Sequence, residues 1–278
     1  MKSQNSDYWN FICGSAAAKR LGIKPGDTNE LFRFDRWYFD FYPYLQPFLA
    51  RNVPQESPTL EIGLGFGTVS QWLGERQHTY IGIDIALAPV NLVQNRLAGV
   101  SAASAIVGDV RSLPFENHAF GAVVSIGALH HTGSFHDSLE ELVRVTKPGG
   151  TIVGMVYSLL SGRNLLIRPI STLSYCLRNI MQPAHIYGDE KFRAWSDQDE
   201  QGLPPPSTEY FSRRGLRAAL SKYGHADVFA TNLDELPIPW IGKYLRKWML
   251  RVGIARLFGL DLYFVLKVAE NSKPNAME

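Results

Sequence analysis

Short apolar runs alternate with amphipathic periods through the middle of the chain. Thr59-Leu60-Glu61-Ile62 predicts a strand, and a helix follows from about Thr68 to Glu75 with Val69, Trp72 and Leu73 on one face. Thr79 to Ile85 predicts a second strand and Pro89 to Leu97 a second helix. Ala105-Ile106-Val107 and Phe120 to Ile126 give two more strands. Ser134 is placed to cap a helix to about Val145, stopped by Lys147-Pro148-Gly149-Gly150, before a fifth strand at Thr151 to Tyr157. A helix from Ser212 to Tyr223 and strands near Ala226–Thr231 and Leu262–Val268 close the series. Apolar strands separated by helical periods imply an α/β class: a doubly wound, mostly parallel sheet with helices on both faces.

Three regions depart from that alternation. Residues 1–57 are aromatic and helical in character; Asp27 with Glu30 opens a helix through Leu31, Phe34, Trp37 and Tyr38, which Pro43 and Pro47 are expected to break. Residues 158–208 form a helical insertion before the sixth strand, ending in the stiff Gly202-Leu203-Pro204-Pro205-Pro206. Residues 209–278 complete the sheet around a basic, aromatic segment from Pro237 to Phe258. The division predicted is therefore an N-terminal lid region (1–57), a binding core (58–157), an insertion that covers an acceptor (158–208) and a C-terminal part of the sheet (209–278).

Composition narrows the class. The 278 residues are 45% hydrophobic, which excludes a mainly disordered chain, and Cys13 and Cys176 make neither a disulfide framework nor a four-cysteine zinc site. The first residues are polar, without the apolar core of a signal peptide, and no apolar run approaches the roughly 20 residues of a membrane helix, so a cytoplasmic protein is expected. The net charge is +2, which makes no general case for nucleic acid. It is unevenly spread. The stretches 159–183 and 240–260 hold Arg163, Arg168, Arg178, Lys243, Arg246, Lys247, Arg251 and Arg256 and no acidic residue, leaving 20 basic against 26 acidic residues elsewhere.

The sharpest local signal is Glu61-Ile62-Gly63-Leu64-Gly65-Phe66-Gly67 at a strand-to-helix junction. Glycines there let the backbone turn tightly and approach a ligand, and the helix N-terminus offers unpaired N–H groups. Asp84 ends the next strand, where a carboxylate accepts both hydroxyls of a ribose. Thr68 stands where a dinucleotide fingerprint needs its third glycine, which argues against a pyrophosphate site. Asp109, at the end of the third strand, is placed to accept from an adenine amine.

Glu61–Thr68, Ile81–Asp84, Gly108–Phe115, Phe120–Thr132 and Leu142–Gly150, taken in order, closely resemble the motifs of class I S-adenosylmethionine-dependent methyltransferases, in the small-molecule branch with ubiquinone and menaquinone methyltransferase relatives. The resemblance implies a seven-stranded Rossmann-like sheet whose last strand is antiparallel, with S-adenosylmethionine as cofactor. It implies that Glu61, Gly63, Gly65 and Gly67 bind the cofactor, the glycines lining its methionine part. It also implies that Asp84 holds the ribose, and that Asp109 with the Val110 backbone holds the adenine. Tyr8-Trp9-Asn10 and Cys13-Gly14-Ser15 are similar to a group of bacterial methyltransferases of mostly unassigned substrate.

Methyl transfer from a sulfonium is an in-line displacement, so the protein supplies positioning and exclusion of water, and a base only for some acceptors. His130 or His131 is a candidate base, with a structural turn as the alternative, and catalytic residues stay unassigned. His136 completes no usual metal-ligand spacing, so no metal is expected. Arg33 and Arg36 with Tyr8, Trp9, Phe11, Trp37 and Tyr38 read either as a lid whose arginines meet the cofactor carboxylate or as a packed helix with solvated arginines. Tyr187, Phe192 and Trp195 suit an apolar acceptor wall. Around Trp240 to Leu260, Ile241, Leu245, Trp248, Val252 and Ala255 share one helical face while Lys243, Lys247 and Arg251 follow another. That pattern fits shallow docking on an anionic membrane, capture of a lipid-like acceptor, or a surface helix packed on the sheet edge. The function expected is methylation of a small or lipid-like acceptor. The alternatives are a non-catalytic scaffold and a nucleic-acid methyltransferase, which Ser125-Ile126-Gly127-Ala128-Leu129-His130 disfavours because it lacks the acidic-proline-aromatic stacking motif. The oligomeric state is left open.

Overall fold

A computed structural model describes residues 2–12, 18, 21–24, 26–77, 79–181, 203–235 and 240–270. Its strands are β1 (Thr59–Ile62), β2 (Tyr80–Asp84), β3 (Ala103–Val107), β4 (Phe120–Ile126), β5 (Thr146–Tyr157), β6 (Gly224–Thr231) and β7 (Asp261–Val268). They form one seven-stranded sheet in the order β3-β2-β1-β4-β5-β7-β6. Strands β1 to β5 pair in parallel and β7 runs antiparallel to both β5 and β6, which is the sheet the motifs imply. β5 starts five residues earlier than its apolar run, pairing Thr146 with Phe120 before the register shifts.

Period-two burial divides the strands between two cores. Leu60, Ile62 and Val123 join Leu139 and Leu142 of helix Phe135–Val145 and Leu216 of helix Arg213–Leu220 on one face. Ala122 and Val124 join the opposite face with Leu45 and Leu49 of helix Leu45–Asn52, Trp72 and Leu73 of helix Thr68–Gly74, and Val90 and Val93 of helix Leu87–Arg96. Ser134 caps its helix through Asp137 N–H, and Asp27 accepts from Asn29 and Glu30 N–H at the start of helix Thr28–Phe41. Pro47 does not break a helix, because it lies in the first turn of Leu45–Asn52, where its missing N–H has no partner to lose.

The order of strands reverses between β1 and β4, so the loops leaving their carboxyl ends diverge and open a crevice. Among the described residues the α-helices are α1 Lys2–Ile12, α2 Thr28–Phe41, α3 Leu45–Asn52, α4 Thr68–Gly74, α5 Leu87–Arg96, α6 Phe135–Val145, α7 Gly162–Ile167, α8 Pro169–Met181, α9 Arg213–Leu220, α10 Gly242–Arg251 and α11 Ala255–Phe258. No helix among the described residues is long and apolar enough to cross a membrane. Cys13, Gly14, Ser15, Tyr187, Phe192 and Trp195 lie outside the described residues.

Candidate active site

The crevice holds a cavity of about 270 Å³ lined by the β1–α4 loop, Asp84, Asp109, Val110, the Ile126–Ala128 turn and His131. Its loop needs its glycines. Gly63 has φ 78°, and a Cβ there would stand 2.2 Å from that of Ala128. Gly65 has φ 50° with nothing within 4 Å of a Cβ position, so its open side faces ligand space. Gly67, with φ 75°, instead turns toward Arg96 and Val93, is absent from the cavity lining, and shapes the entry to α4. The structure thus brings Gly63 and Gly65 to the cavity and leaves Gly67 behind it.

Asp84 is fixed by the same loop. One carboxylate oxygen accepts from Leu64 N–H at 2.8 Å and the other from Ala86 N–H at 2.9 Å. Burial raises its pKa, and those backbone N–H groups work against the rise. Glu61 lies deeper: it accepts from the Tyr80 hydroxyl at 2.5 Å, is 2% exposed, and burial pushes its pKa up to about 8. Asp109 is held by Arg111 through paired contacts at 3.0 and 2.8 Å. The Arg111 pKa rises in return, chiefly from the hydrogen bonds to Asp109.

Glu61 gives a signed pH dependence. Its folded pKa lies above its unfolded value of about 4.5, so the folded state keeps a proton that the unfolded state loses, and stability falls as pH climbs from about 4.5 to about 8. Glu61→Gln removes that loss. The Tm advantage of the variant over the parent is expected to grow between pH 5 and pH 8, by at most about 1.4 kcal/mol per pH unit in stability. Calorimetric Tm values that keep a constant offset across that range refute the assignment.

Helix α1 crosses the mouth of the crevice and is stitched to both sides. Asn5 Nδ2 donates to His131 O at 3.1 Å on the β4 side. On the β2 side the Ser6 hydroxyl donates to Ile85 O at 3.1 Å and Asn10 accepts from Ala88 N–H at 2.9 Å, capping α5. Trp9 donates to Asn5 at 3.0 Å and sets its ring 4.9 Å from His131. From α2, Phe34 and Tyr38 reach the cavity, and Phe34 packs on Phe66 of the loop at 4.7 Å. Asp35 ties α2 to the loop as well: it accepts from Thr68 Oγ1 at 2.6 Å and pairs with the buried Arg96 at 2.8 Å. Of the two readings of Arg33 and Arg36, the packed helix holds, since neither arginine lines the cavity. Arg33 donates to Leu21 O and pairs with Glu30, and Arg36 is exposed. They sit on the outer side of α2 because its inner side carries Phe34 and Tyr38.

His131 lines the cavity, and its Nδ1 lies 3.0 Å from Ser207 O. His130 is fully buried outside that lining, its ring 4.0 Å from that of Tyr157. Burial, and then the neighbouring His131, hold its pKa well below the usual imidazole value. No arginine or lysine lines the cavity among the described residues. The half-buried Asp84 carboxylate, the open Gly65 and the aromatic side chains of α1 and α2 suit S-adenosylmethionine, which when bound supplies an activated methyl group and its leaving group together. Asn5 and Trp9 of α1 and Phe34 and Tyr38 of α2 line the cavity beside the glycine loop.

Residues 60–154 match the methyltransferase domain family. Over 206 residues the chain is 29% identical to a demethylmenaquinone methyltransferase of Paenarthrobacter aurescens (strain TC1), covering 71% of this chain and 80% of that one. In other demethylmenaquinone methyltransferases the match spans 60% of the relative's length. It is 37% identical over 95 residues to the phthiotriol/phenolphthiotriol dimycocerosates methyltransferase of Mycobacterium leprae (strain TN), covering 33% of this chain and 34% of that one. Among solved structures, geranyl diphosphate C-methyltransferase from Streptomyces coelicolor A3(2), in complex with Mg2+, geranyl diphosphate and S-adenosyl-L-homocysteine, shares the fold at 15% identity and a TM-score of 0.55, over 97% of each chain. Ordered motifs, sheet and domain match agree: residues 60–154 carry a methyltransferase domain, and fold and relatives together support a class I S-adenosylmethionine-dependent methyltransferase.

Proposed function

We propose that the acceptor is an apolar, lipid-like molecule of the quinone or prenyl-lipid kind, methylated by a cytoplasmic enzyme in peripheral contact with a membrane. The observation that carries this reading is the wall of the cavity toward the lid: Trp9, Phe34 and Tyr38 line it with no basic side chain among the described residues. A nucleic-acid acceptor calls for a basic channel to its phosphates. The relatives support the reading, since the proteins named for demethylmenaquinone and for phthiotriol dimycocerosates act on apolar molecules. Within it, Gly63 and Gly65 flank the methionine part and Gly67 shapes the turn behind them. Asp84 takes the ribose hydroxyls, Asp109 and the Val110 backbone face the adenine, and Glu61 braces the loop from below through Tyr80.

The test is incubation of the enzyme with methyl-labelled cofactor and a native extract separated into lipid and aqueous fractions. Label is expected in the lipid fraction. Label confined to the aqueous fraction overturns the proposal.

A further inference from the structure

Helix α10 buries an arginine and leaves Ile241, Trp248 and Val252 of its apolar face outside. The side chain turned inward is Arg246, 2% exposed. Its Nε donates to Leu233 O at 2.7 Å, and its terminal nitrogen donates to Asn232 Oδ1 at 2.7 Å and Phe41 O at 2.9 Å. Its guanidinium also lies 3.7 Å from the Phe41 ring. With an arginine on the inner face, Leu245 is half-buried and Ala255 buried, but the larger apolar residues are left outside: Trp240 is 89% exposed, Tyr244 64% and Trp248 55%, with Ile241, Val252 and Leu257 also exposed.

A second stripe lies alongside. Leu166, Ile170, Leu173 and Leu177 on α7 and α8 recur at helical spacing and all point outward, the first two more than four-fifths exposed. The two segments meet: Gly162 at the start of α7 lies against Phe258 at the end of α11, and Arg163 pairs with Asp234 just before α10. An apolar surface of this extent on separate, adjoining helices marks a docking face.

Its charge identifies the occupant. Lys243, Arg251, Arg256 and Arg178 are exposed on these helices, and none of them meets a carboxylate among the described residues. No acidic residue occurs in 159–183 or 240–260. Outward tryptophans and leucines among lysines and arginines are the composition of a helix lying in the headgroup region of an anionic bilayer. A second copy of the chain would bring the same positive charge against itself.

We propose that the outer faces of α7–α8 and α10–α11 dock the enzyme on an anionic membrane, with Trp240 and Trp248 inserted at the headgroup level and Lys243 and Arg251 against the lipid phosphates. This deepens, and rests on, the reading of a membrane-dissolved acceptor. Vesicle binding is read with no acceptor present, so failure of the docking and failure of the acceptor assignment are separate results.

The experiment is flotation of the full chain with phosphatidylglycerol or phosphatidylcholine vesicles, alongside sedimentation velocity without lipid. Strong binding to phosphatidylglycerol, weak binding to phosphatidylcholine and release by high salt are expected. Lys243→Glu/Arg251→Glu is expected to lower the phosphatidylglycerol partition coefficient at least about tenfold. Trp240→Ser/Trp248→Ser is expected to lower it as well, and both pairs, being exposed, are expected to leave cofactor affinity unchanged. Three outcomes overturn the proposal: no binding of the parent to anionic vesicles; variants that bind as the parent does; or self-association that the tryptophan variant abolishes while vesicles are ignored, which would assign the face to a second copy.

Discussion

Replacing Asp84 by alanine is expected to weaken S-adenosylmethionine binding by at least about a hundredfold. A carboxylate holding two ribose hydroxyls makes two charge-assisted hydrogen bonds, each contributing about 1.5–3 kcal/mol, and each 1.4 kcal/mol is a factor of ten. The loop adds to the loss, because Leu64 and Ala86 N–H both donate to this carboxylate and alanine strands them. Asp84→Asn separates the two effects. It keeps one carbonyl oxygen for a backbone N–H while removing the charge, so a loss of roughly tenfold is expected. Titration calorimetry reads both affinities, and a thermal melt of each variant confirms folding. An Asp84→Ala affinity within threefold of the parent would remove Asp84 from the cofactor site.

That Asp84 was legible in the sequence follows from the locality of a βαβ unit. A strand, a glycine turn, a helix and the next strand occur within Thr59–Asp84, and parallel pairing of β1 with β2 puts Ile62 beside Ile83. The carboxylate must then emerge beside the glycine loop. Other features are set by contacts that leave no periodic trace. Asn5, Ser6 and Asn10 stitch α1 to residues 78 to 126 positions away through single side-chain hydrogen bonds, and nothing near them in the chain signals it. Gly67 looks like its neighbours in sequence, yet its outward side is fixed by Arg96, which Asp35 of α2 holds in place. Periodicity located the amphipathic helix α10 but not which face it buries. That choice lies with carbonyl groups of Phe41 and Leu233 that converge from distant segments on Arg246.

Arg246 is accordingly where the largest loss of stability is expected. Arg246→Leu keeps much of the volume but takes the donor from the Leu233 and Phe41 carbonyls and leaves Asn232 Oδ1 with only the Leu233 N–H. Stranding a buried polar acceptor costs about 1–3 kcal/mol, and with relaxation across a shared site a total of about 3–5 kcal/mol is expected. For a chain of this size that lowers Tm by roughly 6–15 °C. Arg246→Lys is expected to fall between the two. A single ammonium on a flexible stem does not reproduce the guanidinium fork or its contact with the Phe41 ring. Because the same side chain holds α10 with Trp248 outward through Phe41, Asn232 and Leu233, which lie outside the strands, Arg246→Leu is also expected to reduce vesicle binding at temperatures where the sheet is still folded. A Tm within 2 °C of the parent, read by calorimetry, would show that the inward arginine does not anchor the helix.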